Sequence, residues 1–183
     1  MGKLVSKTYG DALFGLAKDE SRIDEFYMQA QEIVKIFSEN PEISKLLDQP
    51  KVSKADKVTF VEDIFMNIVS KEVIGLMVLL VEKSHYAEIV AVFNYFIEQV
   101  KEEKGIGVAI VTTAFALSNE QVSSIEQKLL ASTKYQEFEM KYEVDQAIIG
   151  GMIIRIGDRV VDSSIKTKLY NLSKELKNIQ LTI

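Results

Sequence analysis

The apolar residues of this chain change their period at Gly105. Before that glycine they recur every three or four positions, which lines side chains along one face of an α-helix. After it, stretches of every-second-position alternation appear, the spacing of a strand half-buried in a sheet. A helix stripe and a strand face bury against different partners. The chain is therefore expected to fold in two parts, one helical and one mixed.

The helical part resolves into six segments. Val5, Tyr9, Ala12, Leu13 and Leu16 make the first stripe. Ile23, Phe26, Tyr27, Ala30, Ile33, Val34 and Phe37 make the second. Asn40-Pro41 ends that helix and starts a short third one, with Asn40 as N-cap and Pro41 at the first helical position, where a missing N–H costs nothing. Residues 53–56, "SKAD", read as a capping box with Asp for the usual Glu. The helix behind them carries Val58, Val61, Ile64, Phe65 and Ile68. The fifth segment, residues 73–81 with sequence "VIGLMVLLV", is apolar nearly all round. It either sits centrally or lends a face to a partner. Tyr86, Ile89, Val90, Phe93, Phe96, Ile97 and Val100 form the sixth stripe, and Gly105 is placed to end it.

After Gly105, residues 107–114, "GVAIVTTA", read as a β-branched strand. Ser118 caps a helix carrying Val122, Ile125 and Leu129. Residues 138–144, "FEMKYEV", alternate at strand period. "GMIIRI" and "RVVD" flank Gly157-Asp158, a two-residue hairpin turn. Asp162 and the two serines behind it are expected to cap a last helix with apolar positions Ile165, Leu169, Leu172, Leu176 and Ile179. The expected fold is α+β. A six-helix bundle over residues 1–104 precedes a smaller α/β part over 105–183, with a β-hairpin and a terminal helix. The second part is marginal alone and should dock on the bundle or on a partner.

Charge and composition narrow the function. The 183 residues carry a formal net charge of -5. All of that excess lies in residues 1–104, so neither part has the basic surplus that nucleic-acid binding needs. The chain has no cysteine, which excludes disulfides, thiolate metal sites and thiol nucleophiles. No run reaches the ~18 apolar residues of a membrane span, and no signal peptide is expected, so direct membrane insertion is not expected either.

The chemical candidates reduce to architecture. Gly150-Gly151 precedes a strand and lacks the Gly-Lys-Ser/Thr of a phosphate loop. Gly105 and Gly107 lack a third glycine and also precede a strand, which excludes a dinucleotide fingerprint. Asp158 and Asp162 are explained as turn residue and helix cap without a metal. His85, the only histidine, has no cysteine or second histidine as co-ligand. Nothing builds a nucleophile, base and oxyanion donor together. The residues describe an acidic two-part protein with no visible active site, which favours a binding or structural role over an enzyme whose site is unseen; no cofactor and no metal are expected.

Three motifs then resemble one family. "YGDALFGLA" over residues 9–17 is similar to its Tyr-Ala-x-Ala-Leu-Phe start. "NPEISKLLDQP" over 40–50 is similar to its Asn-Pro-Glu-x-x-x-Leu-Leu-x-x-Pro turn. Residues 144–169, "VDQAIIGGMIIRIGDRVVDSSIKTKL", resemble its Val-Asp-Pro-x-x-Ile-Gly-Gly, Ile-Gly-Asp and Asp-x-Ser signature. The family is the delta subunit of F-type ATP synthase, whose mitochondrial counterpart is the oligomycin-sensitivity-conferring protein. Gln146 stands where the family often has Pro, Ser163 where Gly is usual, and "KSHY" at 83–86 where Asn-Gly-Arg is common.

The resemblance implies a non-catalytic stator part at the cell membrane, peripheral and on the cytoplasmic side. It implies that the bundle binds alpha subunit N-terminal helices in a groove between its first and fifth helices. Tyr9, Leu13 and Leu16 on the first and Leu76, Leu79 and Leu80 on the fifth are then the expected contacts. It implies that the C-terminal part meets the end of the b subunits. Asn40, Pro41, Gly150, Gly151, Gly157, Asp158 and Asp162 are expected to be structural. A helix-binding adaptor of an unrelated complex would use the same groove for a different client.

Overall fold

The computed structural model describes residues 2–180, with side chains through residue 177. The chain divides into two compact units between Glu103 and Lys104.

The first unit holds six helices: α1 (Gly2–Asp19), α2 (Ile23–Glu39), α3 (Pro41–Asp48), α4 (Lys54–Phe65), α5 (Lys71–Glu82) and α6 (Ile89–Glu103). A 3-10 turn over Tyr86–Glu88 joins the last two. Each helix buries one stripe. Phe26, Ile33, Phe65, Met77, Leu80, Phe93 and Phe96 are fully enclosed, each contributing roughly 2–3 kcal/mol of transfer free energy. Phe37 stacks on Phe65 at 6.0 Å. The centre is α6, which packs on both α1 and α2 and buries Ile89, Val92, Phe93, Phe96 and Val100 completely. The very apolar α5 is less central. It buries Val73, Met77, Leu80 and Val81 and turns Gly75 and Leu79 outward.

The local signals act with two changes. Pro41 does open α3, but Asn40 makes no side-chain cap on it. Its Nδ2 donates instead to the Ile36 carbonyl at 3.0 Å, so Asn40 closes α2. Its backbone N–H donates to the same carbonyl. Ser53 accepts from the Asp56 N–H at 3.1 Å. The return arm of that box is absent, because Asp56 takes the Ser53 hydroxyl at 2.7 Å. Aspartate is one methylene shorter than the usual glutamate and reaches the hydroxyl rather than the backbone.

The second unit is a four-stranded sheet in the order β2-β1-β3-β4, with β1 (Ile106–Thr113), β2 (Glu137–Val144), β3 (Met152–Ile156) and β4 (Arg159–Asp162). The helix α7 (Asn119–Ser132) links β1 to the parallel β2, because parallel neighbours need a crossover. Its start is a full capping box between Ser118 and Gln121. Strands β3 and β4 form the expected hairpin around Gly157-Asp158. Alternation along β1 buries Ala109 and Val111 with Ile125, Leu129 and Phe138.

The terminal helix α8 (Ile165–Gln180) carries the expected apolar stripe but does not bury it. Ile165, Leu169, Leu172 and Leu176 are all exposed. The side chain of Ile179 lies outside the described residues.

Candidate partner-docking surfaces

Two contacts fix how α1 and α5 run. The rings of Tyr9 and His85 lie 6.3 Å apart, and Arg22, just beyond α1, reaches Glu72 in the first turn of α5 at 3.5 Å. The two helices are therefore antiparallel neighbours. Between these contacts fall the six apolar positions expected to meet a partner, and the structure separates them. Leu13 is 3% exposed and Leu80 is 0%. Both belong to the core, which corrects their placement on a docking face. Tyr9 and Leu76 are half-buried and lean on that core. Leu16 and Leu79 are each 38% exposed.

Two glycines of these helices are open to space. A Cβ built on Gly15 or on Gly75 would meet nothing within 4 Å. Ala12 is exposed as well. Leu16 on α1 and Leu79 on α5 are thus exposed leucines on antiparallel neighbours, and Gly15 and Gly75 leave the outer backbone of each helix open. The signal in the sequence is a glycine inside a helix, which costs stability and calls for a packing or functional reason.

Polar groups hold the two helices in place. Arg22 donates to Glu25 at 2.7 and 2.9 Å and to Glu20 at 2.7 Å, and lies 4.8 Å over the Phe26 ring. The hydrogen bond from Arg22 holds the Glu25 carboxyl below its ordinary range. At the other end of α5, Lys54 Nζ donates to the Glu82 carbonyl at 3.0 Å, a cation on a helix C-terminus. On α1, Asp11 Oδ1 accepts from Tyr95 at 3.1 Å and from Gln99 at 2.6 Å. Burial and the adjacent Asp11 push the Tyr95 phenol up.

In the second unit the glycine-rich segment is a joint. Asp145 Oδ1 accepts from the Ala147 N–H at 2.9 Å and starts a tight turn. Ile149 follows at φ 69 and Gly151 at φ 76. A Cβ on Gly151 would stand 2.5 Å from the Ser163 carbonyl oxygen. The Gly150 carbonyl accepts from Ile165 at 2.9 Å, and the Met152 carbonyl accepts from Ser163 N–H at 3.0 Å. The glycines let two turns lie backbone to backbone, and that contact fixes where α8 begins. Gly157, at φ 55, and Asp158 form the hairpin turn.

Asp162 plays a different part from the expected cap. Ser164 is the N-cap residue, its hydroxyl accepting from Thr167 N–H at 3.2 Å. Asp162 sits two residues earlier, where its oxygens accept from Ser164 N–H at 2.9 Å and from the Thr167 hydroxyl at 2.7 Å. The hydrogen bonds from Ser164 and Thr167 hold its carboxyl below the usual aspartate range. Among the described residues no three His, Asp or Glu side chains gather as a metal would require. No described helix is long and apolar enough to cross a membrane.

Residues 5–176 match the family model described as ATP synthase delta (OSCP) subunit. An ATP synthase subunit delta of Lachnoclostridium phytofermentans is 51% identical over 181 residues, covering 99% of this chain and 100% of the relative. One from Brevibacillus brevis is 32% identical over 175 residues, covering 96% and 99%. A chain in the cryo-EM structure of the Toxoplasma gondii mitochondrial ATP synthase hexamer shares the fold, with a TM-score of 0.79 at 19% identity over 93% of this chain and 96% of that one. The chain belongs to the ATP synthase delta (OSCP) subunit family, and is a non-catalytic peripheral-stalk component of F-type ATP synthase.

Proposed function

We propose that the chain ties the catalytic head of the synthase to its membrane-anchored b subunits, on the cytoplasmic side of the cell membrane. The helical unit takes an amphipathic N-terminal helix of an alpha subunit between α1 and α5. The mixed unit takes the end of the b subunits. The head is then held still while the rotor turns, so that proton flow drives ATP synthesis.

The observation that carries this reading is the exposure of Leu16 on α1 and Leu79 on α5, two helices that run as antiparallel neighbours. A partner helix laid there would bury its own apolar stripe against both leucines. A joint under torque needs packed apolar contacts, because exposed ion pairs contribute only about 0–1 kcal/mol each.

The test is a titration of the full chain with a peptide of the alpha N-terminus, beside co-purification with the soluble part of the b subunit. Saturable binding of both supports the reading. Unchanged binding of the alpha peptide on replacing Leu16 and Leu79 by aspartate, or failure of b to co-purify with the wild-type chain, would overturn it.

A further inference from the structure

The two edges of the sheet are built differently. Strand β2 sets Glu137, Glu139, Lys141 and Glu143 along one face, charges that keep a stray strand away. Strand β4 has no such guard at its centre. Val160 and Val161 are 52% and 62% exposed, one on each face of the sheet. Its backbone is open as well. Ser163 N–H donates to the Met152 carbonyl, and β3 and β4 pair step for step from Ile153↔Asp162 to Ile156↔Arg159. Hydrogen bonding alternates along an antiparallel ladder. Arg159, Val161 and Ser163 therefore bond inward, and Val160 and Asp162 turn N–H and C=O outward.

We infer that the outer edge of β4 takes up an extended, acidic segment of another chain as a fifth strand, antiparallel to β4. Two apolar residues of that segment lie against Val161 and Val160. The carboxylates that follow them face Arg159 on one side of the sheet and Arg155 on the other.

Charge selects the occupant. The chain has three arginines. Arg22 is held by Glu20 and Glu25. Arg155 and Arg159 stand exposed on opposite faces of the hairpin, and neither makes an ion pair or a hydrogen bond among the described residues. Carboxylates across the strand satisfy both, while the three glutamates of β2 turn an acidic segment away from the opposite edge. A helix cannot fill this site, because its own N–H and C=O groups are already bonded to each other. A second copy of the chain fits poorly. Facing side chains of two strands related by a two-fold axis share a face, so their residue numbers have an even sum. The register that uses both outward residues sets Val160 opposite Asp162 and leaves Arg159 opposite a serine. Asp162 is moreover already bound to Ser164 and Thr167.

The test uses the full chain and two synthetic peptides of about ten residues, an ordinary strand length. Both carry Thr-Lys-Ile-Val at the centre, followed by Glu-Glu in one and Lys-Lys in the other. The acidic peptide should bind roughly tenfold more tightly at low ionic strength, with the gap closing as salt rises. On binding, hydrogen exchange of the Val160 and Asp162 amides should slow, while the amides of β2 keep their rates. Val160→Pro removes an outward N–H without breaking a ladder bond. That variant should lose the peptide and stay folded. The double variant Arg155→Glu/Arg159→Glu carries the test on exposed side chains alone, whether or not the proline variant folds, and should prefer the lysine peptide. Equal binding of the two peptides to the wild type would overturn the proposal. So would an unchanged preference in the double variant, protection that appears on β2 or on α1 and α5 instead of β4, or a dimer of the chain that the double variant dissolves.

Discussion

The backbones of Gly151 and Ser163 lie so close that a Cβ on the glycine would stand 2.5 Å from the serine carbonyl oxygen. Gly151 is therefore held to glycine twice, by its φ of 76 and by space. Gly157 has a similar φ of 55, but a Cβ there would meet nothing within 4 Å. The two glycines should answer differently to the same substitution. Gly157→Asn should be nearly silent, because asparagine tolerates the left-handed region. Gly157→Val should cost about 1–2 kcal/mol. Gly151→Asn should cost at least about 2 kcal/mol, since the clash is with backbone that cannot step aside. Urea unfolding of the full chain, read by residue-resolved NMR, should show each loss in the mixed unit and none in the helical bundle. Equal effects of asparagine at the two sites would show that space around Gly151 is not what matters.

Ser164 and Asp162 divide the start of α8 between them. Ser164→Ala should cost about 1 kcal/mol as the loss of an N-cap. Asp162 acts through its charge. Its carboxyl titrates below the ordinary aspartate value of 3.8 in the folded chain, because hydrogen bonds from Ser164 and Thr167 favour the ionised form. The contribution is therefore complete above that value and is lost as pH falls below it, through the folded pKa. Asp162→Asn keeps an oxygen for the Ser164 N–H but cannot titrate. Acid unfolding of the mixed unit should accordingly be less steep below about pH 4 in that variant than in the wild type. Divalent cations should leave both melting temperatures unchanged. Identical acid profiles would remove the charge from this account.

Gly10 sets the spacing of α1 and α6. The ring of Tyr95 occupies the place a Cβ on Gly10 would need, and its hydroxyl is tied to Asp11. Gly10→Ala, although alanine is the better helix former, should destabilise the bundle by about 1–3 kcal/mol as an overpacked contact. Adding Tyr95→Val should recover part of that loss, and a double-mutant cycle measures the coupling. A stabilising Gly10→Ala would mean that the ring moves aside freely.

Local signals made much of this fold legible. Pro41, the Ser118 cap and the Gly157-Asp158 turn act within a few residues of themselves, and each appears where its chemistry places it. The docking face was less legible. Leu13 and Leu16 belong to one stripe, yet one is core and the other is 38% exposed. Period fixes the centre of a stripe and leaves its edges to whichever helix packs alongside. At residues 162–164 three consecutive capping residues compete, and only the hydrogen bond of Ser164 to Thr167 chooses among them. For α8 the stripe itself was plain, but a stripe reads the same whether it faces its own core or another chain.

The two exposed leucines and the two open glycines make opposite predictions about stability and binding. Leu16→Asp and Leu79→Asp should each weaken an alpha N-terminal peptide roughly five- to thirtyfold, about 1–2 kcal/mol. Neither should lower the melting temperature much, because both side chains already meet water. Leu13→Ala is the counterpart. It should cost about 2–5 kcal/mol of bundle stability as a buried cavity, and bind normally where the chain remains folded. Tyr9→Ala should fall between them, since its ring is half-buried and lies against His85. Gly75→Ala should stabilise the bundle by about 0.5–1 kcal/mol, because glycine is a poor residue in a helix interior and space is free there. Gly75→Leu should also fold well, yet it fills the face between the helices and should block the peptide. Calorimetric titration beside a thermal melt of each variant separates the two effects. A Gly75→Leu protein that melts like the wild type and still binds the peptide with unchanged affinity would place the alpha helix somewhere other than between α1 and α5.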